Sequence, residues 1–429
     1  MRPAATRPAR LAPWLLLALA CASNTAQAQT LAQDQAGPGA LQPEWQTRIS
    51  SFSAVYGAGA EGGTDKPRSL TELRLQQRLA LTPAPGQRLV AEVDVLADST
   101  GTAQGVQALP TRAERPRVAS LGEAYYRYDR DNWRITVGRQ RFDWATTDTV
   151  SPSDLLNPRD WSDITRVRKL AVPALSLRVG DGTALELVLT PGGQSILPQG
   201  RWQTALPAGV TRAAQDKAGS QAAARLSGNW WQTDLSLVAY RGPSYAPAAA
   251  LDLSATGARL RPYYDEVHAI SAGLAREVFE GSVLRAEWGR FKQQRGDDFD
   301  QWVTSLDREF TGLLGRRDSL YVLAQFQSEQ RRREGQNLPG WWDFRRVFNN
   351  SLMARAQYSP GDDGRWQLLL EGTWQRTTRQ RYTRLVLKHR LAPALEAELG
   401  VASIAGQAGS FWGSYAPSNQ AFVALHWQL

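Results

Sequence analysis

From residue 43 to the end of the chain, polar and apolar positions alternate with a period of two. Leu73, Leu75, Leu79 and Leu81 share one side of one such segment, and Glu72, Arg74, Gln76 and Arg78 share the other. At 364–376 Trp366, Leu368 and Leu370 oppose Gln367, Glu371 and Gln375, and the chain ends with Val423, Leu425, Trp427 and Leu429 on one side. Strict alternation is the mark of strands with two unlike faces. It predicts eighteen strands, over 43–57, 68–82, 87–99, 117–129, 132–143, 171–180, 183–191, 221–230, 232–242, 262–279, 282–293, 299–314, 318–330, 342–359, 364–376, 380–391, 395–404 and 419–429. Even-numbered strands leave through tight turns such as Arg130-Asp131, Gly180-Asp181-Gly182 and Pro393-Ala394. Odd-numbered strands leave mostly through longer loops, such as 143–170, 191–220 and 404–418. Short turns at one end and long loops at the other predict an all-β fold, a single transmembrane antiparallel β-barrel. The turns are then periplasmic, the loops external, and the even count returns the C-terminus to the periplasm.

Composition separates this from a basic soluble β protein. The chain carries 16 Trp, yet its mean hydropathy is −0.41. A soluble domain would gather so many indoles in one core, whereas a membrane barrel spreads them in two interfacial girdles. Trp133, Trp230, Trp231 and Trp366 fall at the turn end, and Trp302, Trp341, Trp342 and Trp374 at the loop end. No linker or change of texture divides residues 43–429, so they read as one barrel.

The start of the chain reads as an address. Arg2, Arg7 and Arg10 precede an apolar run from Leu11 to Ala22, and Ala26-Gln27-Ala28 is a small-x-small cleavage site. Residues 1–28 are therefore expected to be a cleaved signal peptide, and 29–42 a flexible periplasmic lead-in. A rival reading makes Cys21, the only cysteine, a lipidated N-terminus. After cleavage at residue 28 no cysteine remains for disulfides or thiolate metal sites.

Candidate chemistry is sparse. His268, His389 and His426 are the only histidines, and none lies in a motif with a nucleophile, so no catalytic residue, metal or cofactor is expected. The polar faces say more. Arg74, Arg78, Glu92, Asp94, Glu123, Arg127, Arg178, Arg285, Glu287, Arg355, Glu371, Arg384, Lys388 and Arg390 point into the lumen by this phasing, with both signs near balance. They either pair across neighbouring strands or line an aqueous path. Taking Thr377 against Gln380 sets Arg384 opposite Thr373, diagonal to Glu371, and so predicts an uncompensated charge at Arg384.

The net charge is +9, and its basic excess gathers at the external ends of four successive strands: Arg331, Arg332, Arg333, Arg345, Arg346, Arg376, Arg379 and Arg381, extended by Arg290, Lys292 and Arg295. Contact with lipopolysaccharide phosphates and capture of an anion at the mouth explain such a patch equally well. Nucleic acid is excluded by the location and by the lack of a binding module. In the loop 143–170, Asp148, Asp154, Asp160 and Arg159 alternate in charge around Asn157, and Pro152 and Pro158 stiffen it. Such a loop could fold inward as a gate or cover the rim as a cap.

Residues 138–144 (GRQRFDW), Asp148 and Asn157-Pro158-Arg159-Asp160-Trp161 resemble proteobacterial outer-membrane barrels of the alginate-export type and a related uncharacterised group. The resemblance covers about forty positions. It implies an outer-membrane channel that exports a secreted polysaccharide with periplasmic export or synthesis machinery. The mixed charge of the lumen departs from that family, whose lumen is strongly basic. On the residues alone, passive passage of a hydrophilic substrate fits an uptake porin as well. A plugged, non-conducting surface barrel is the reading of another class. Outer-membrane lipid and lipopolysaccharide are the surroundings each of these implies.

Overall fold

The computed structural model describes residues 43–57, 66–106, 114–204, 206, 208–254, 257–315, 317–336, 338, 346–361, 364–407 and 409–429. The segments read as signal peptide and lead-in, and Arg345, Trp341 and Trp342, lie outside the described residues. Eighteen antiparallel strands follow one another around a closed sheet. They are β1 (Glu44–Tyr56), β2 (Ser69–Leu81), β3 (Gln87–Asp98), β4 (Ala119–Arg130), β5 (Trp133–Gln140), β6 (Val172–Val179), β7 (Thr183–Thr190), β8 (Gln221–Trp230), β9 (Thr233–Pro243), β10 (Glu266–Phe279), β11 (Ser282–Gln293), β12 (Asp298–Thr311), β13 (Ser319–Arg333), β14 (Ser351–Ser359), β15 (Trp366–Gln375), β16 (Gln380–Ala392), β17 (Leu395–Ala405) and β18 (Gln420–Gln428). The first strand closes the sheet against the last: Ser50 lies opposite both Arg74 of β2 and His426 of β18. Closure leaves no unpaired edge, which is what a sheet in lipid requires.

The outward face is open and apolar. Leu189, Leu237, Ile270, Leu399 and Val423 stand at 58%, 58%, 52%, 58% and 48% exposure on the outside of the wall. Trp231 and Trp366 project at the turn end, Trp302 and Trp374 at the loop end. Trp144, Trp202 and Trp412 do not join these girdles; they are buried inside the barrel. No described helix is long and apolar enough to cross a membrane, and the strands do the crossing. The protein is an integral outer-membrane β-barrel.

Each strand predicted from the alternation is present, with ends shifted by a few residues. The largest shift is at β14, which begins at Ser351 rather than 342. The external loops hold structure that alternation did not reveal. Val210–Arg212, Gly257–Tyr263 and Ala248–Ser254 form a small three-stranded sheet separate from the barrel sheet. Arg201, almost fully buried, donates to the carbonyls of Pro67 (3.1 Å) and Gly57 (3.0 Å) and to the Ser418 hydroxyl (3.1 Å). One guanidinium thus gathers three external segments.

The polar-inside rule fails over part of the wall. Val172, Ala174, Val188, Ala223, Val238, Tyr240, Val267, Ala269, Phe291 and Phe299 of β6–β12 form an apolar patch with Phe142, Trp144, Leu155 and Leu156. A second cluster joins Phe52, Tyr56, Val386, Ile404 and Phe422 to Ile164, Trp202, Phe411, Trp412 and Tyr415. The reason is that chain, not water, covers these surfaces. The β9 run Leu235-Ser236-Leu237-Val238-Ala239-Tyr240 carries the sign of it, being apolar on both faces.

Candidate functional site

The segment from Arg141 to Ala171, between β5 and β6, folds into the barrel. Asn157 ties its two ends together. The Asn157 Oδ1 accepts the Phe142 N–H at 2.7 Å, and its Nδ2 donates to the Leu170 carbonyl at 2.8 Å and, at 3.4 Å, to that of Gln140. Beyond this neck, Arg159–Asp160 pairs with Arg168–Lys169 as a short hairpin. The Arg159 N–H donates to Ser195 (2.8 Å), which in turn donates to the Tyr245 carbonyl (2.6 Å), so two further external segments hold the hairpin.

The loop reaches most of the inner circumference. Arg141 bonds Glu92 of β3 at 2.6 Å, and the Trp144 indole donates to Glu186 of β7 at 3.1 Å. Glu287 of β11 accepts the Thr146 N–H at 2.9 Å and the Thr147 hydroxyl at 2.7 Å. The Asp148 N–H meets Gln325 of β13 at 3.2 Å, and Ser153 meets Ser271 of β10 at 3.0 Å. Arg166 reaches Glu72 of β2 (2.7 Å) and Arg168 reaches Asp94 of β3 (3.2 Å). Burial pulls the Arg166 pKa down, but Asp163 and Glu72 raise it more, so it sits above its usual value. Asp160 is pushed up, chiefly by burial, against the opposing pull of the Ser162 hydroxyl and N–H.

The five residues expected to form a gate therefore divide. Asp154, Asn157, Arg159 and Asp160 build the loop's own frame: Asp154 pairs with Arg159 and with Lys169 at 2.9 Å, and Asp160 with Arg168 at 2.8 Å. Asp148 instead forms an ion pair with a wall charge, Arg355 of β14, at 3.7 Å. The wall groups that seat the loop, Glu186, Ser271, Glu287, Gln325 and Thr165's partner Gln420, carry no signal in the sequence beyond their inward phase.

Most of the charges expected to line the lumen are paired. Arg74 meets Asp94 at 3.0 Å; Arg78 meets Glu123 at 2.9 Å and Glu92 at 3.7 Å. Arg127 pairs with Asp129 (2.8 Å), Arg285 with Asp307, and Lys388 with Glu398 (2.7 Å) and Glu396 (3.5 Å). Arg178 lies opposite Glu186, and Arg390 opposite Glu396. Arg384 corrects the sequence reading. The β15–β16 turn holds residues 376–379, with Arg379 at φ +49, so Gln375 rather than Thr377 faces Gln380. Glu371 is then directly opposite Arg384, at 3.4 Å, and Glu398 stands 3.7 Å away. Its charge is compensated.

Between the loop and the β13–β16 wall lies a cavity of about 570 Å³. Asp148, Asp154, Arg159, Arg168 and Lys169 face it from the loop, Arg355 and Glu371 from the wall. Tyr382 and Trp412 form an aromatic floor, stacked at 5.0 Å and 14°, with Phe348 beside them. Flat aromatic faces next to fixed charges of both signs suit a solute with a ring and ionised or hydroxyl groups.

Part of the expected external patch is taken up in ion pairs. Arg346 is held by Asp297 (2.7 Å) and Glu329, Arg333 by Asp298 (2.8 Å), and Arg332 by Asp300 (2.7 Å). Arg331 is half exposed and 3.5 Å from Glu334, and Arg381 is exposed on the outer face of β16. Arg376 and Arg379 lie in the external β15–β16 turn. Of the histidines, His268 and His389 point outward, His389 stacking on Trp366 at 3.8 Å, while His426 faces Glu398 at 3.7 Å. Among the described residues no group of three His, Cys, Asp or Glu could hold a metal.

No protein-family model matches the chain, and no curated protein does. Solved structures do. Pseudomonas aeruginosa OccK3 (OpdO) aligns with a TM-score of 0.54 at 12% identity, covering 90% of this chain and 95% of that one. Acinetobacter baumannii OccAB1 aligns at 0.53 and 12% identity, over 91% and 96%. Pseudomonas aeruginosa OpdK, solved with vanillate, aligns at 0.52 and 11%, over 90% and 98%. At these identities the likeness is one of fold: the chain is built like these outer-membrane barrels.

Proposed function

We propose that the protein is a passive outer-membrane channel for small hydrophilic solutes, anionic ones among them, narrowed by the inserted 141–171 loop. The observation that carries this reading is the cavity of about 570 Å³ between loop and wall, with Arg355, Arg168 and Lys169 beside an aromatic floor. That volume suits one small molecule; ligand sites run from about 300 to 1,000 Å³. The loop is fastened to the wall by side-chain hydrogen bonds and ion pairs rather than by strand pairing, which lets it act as a constriction inside an intact barrel. The OpdK structure with vanillate adds an aromatic carboxylate in a barrel of the same fold. Export of a secreted polysaccharide is the second reading, favoured by the GRQRFDW and Asn157-Pro158-Arg159-Asp160-Trp161 resemblance; it requires the loop to withdraw from the lumen. Planar-bilayer recording of the purified barrel tests the proposal. The intact protein should conduct, and deletion of 149–164 should raise the single-channel conductance several-fold. A folded barrel that conducts in neither form would make it a plugged surface protein. Liposome-swelling rates for vanillate against a long anionic polysaccharide separate uptake from export.

A further inference from the structure

The outer wall over β7–β11 differs from the rest of the lipid-facing surface. At its external end Arg241 of β9, His268 of β10 and Lys292 of β11 lie directly opposite one another, forming a row of basic side chains across three neighbouring strands. All three are exposed and point outward. Arg290 stands one pleat below Lys292 on the same face. Local acids only partly offset the row. Glu266 lies 3.6 Å from Arg241, and Asp300 is shared by Arg290 (2.8 Å) and Arg332 (2.7 Å). Asp298 is taken by Arg333, and Lys292 has no ion pair among the described residues. The balance stays positive.

Below the row the wall is hollowed. Ala222 and Ala224 of β8 and Ala239 of β9 floor a groove of about 730 Å³ between Leu187 and Leu189 on one side and Ile270 on the other. A second groove, of about 850 Å³, lies across the Leu189 ridge over β5–β8. Arg241 borders both. Small side chains in the outer leaflet remove wall volume, and lipid chains must fill it. The height fits as well. Trp288 and Trp302, cross-strand partners, mark the external membrane interface, and Lys292 lies four residues beyond Trp288 along β11. That is roughly 13 Å along a strand, the level of headgroups rather than hydrocarbon.

We propose that this face binds a phosphorylated, multiply acylated glycolipid of the outer leaflet. Its phosphates would meet Arg241, His268, Lys292 and Arg290, and two of its chains the two grooves flanking Leu189. Guanidinium and ammonium groups recognise phosphate by charge-assisted hydrogen bonds, and chains held in wall grooves make the contact specific for a multi-chain lipid. The proposal rests on the outer-membrane orientation and not on what the lumen conducts.

Native mass spectrometry of the full-length barrel in detergent tests it, with bisphosphorylated hexa-acyl lipid A as probe. The intact protein should retain one copy at least tenfold more tightly than it retains dephosphorylated lipid A or phosphatidylglycerol. The R241Q/K292Q pair should lose about tenfold, and A239L, which fills a groove without touching charge, should lose several-fold. R308Q, on the outer face of β12 near its periplasmic end, should bind as the intact protein does. Folding of each variant is checked by the gel shift on heating. Equal retention of lipid A and phosphatidylglycerol, unchanged binding in both R241Q/K292Q and A239L, or equal loss in R308Q would overturn the proposal.

Discussion

Thr147 of the inserted loop donates its hydroxyl to Glu287 of β11 at 2.7 Å across 140 residues of sequence. Glu287 is 3% exposed and also accepts the Thr146 N–H, so one wall carboxylate fixes two successive loop residues. This pins the stretch that leads to Asp148, the residue facing Arg355 across the cavity.

Glu287→Ala should therefore loosen the loop. It strands two donors, each costing about 1–3 kcal/mol if buried without a partner. The expected result is flickering between conductance levels in a bilayer and a lower temperature for the heat-induced gel shift. Thr147→Val, which removes only one donor, should do less on both counts. Steady conductance and unchanged heat resistance in Glu287→Ala would mean that the loop is seated by its apolar contacts alone.

Asn157→Ala should be more damaging than its size suggests. Asn157 is fully buried and closes the neck through Phe142 and Leu170. Removing the amide leaves the Phe142 N–H and the Leu170 carbonyl without it, a loss on the order of 2–4 kcal/mol for two buried groups. Limited proteolysis should then cut within 143–170 in a barrel that still runs as folded.

Arg384→Glu is expected to act on stability more than on selectivity. It would place a third carboxylate against Glu371 and Glu398, both already within 4 Å. Like charges directly opposed across a ladder are destabilising. Heat resistance should drop, and the reversal potential in a salt gradient should move little. A large shift with unchanged heat resistance would show that Arg384 stands alone in water, as the shorter turn would have had it.

Trypsin added to intact cells should cut after Arg331, which is 53% exposed at the external end of β13, and spare Arg130 and Arg365. Both of the latter are exposed, but they sit beside short turns on the periplasmic side. Cleavage at Arg130 or Arg365 without breaching the outer membrane would invert the topology.

The wall was legible in the sequence because alternation is a local property. Leu73, Leu75 and Leu79 need only a pleated backbone and a lipid phase to fall on one face, and the length of each connection sets which end is outside. Across the tight turn at Pro393-Ala394, Lys388 faces Glu398 and Arg390 faces Glu396 because a bulge at Leu391 offsets the closing Ala392–Leu395 pair by one residue. The Arg384–Glu371 pairing was lost because two extra turn residues slide every partner along β15. What the inserted loop touches is not local at all. Its mixed charges and Asn157 are visible between 143 and 170, but Glu72, Glu186, Ser271, Glu287 and Gln325 become its partners only when the sheet closes and brings opposite walls within reach. Alternation decides which way a side chain points. Only the closed barrel decides what stands across the lumen from it, because that distance is set by strand number and stagger rather than by any neighbour in sequence.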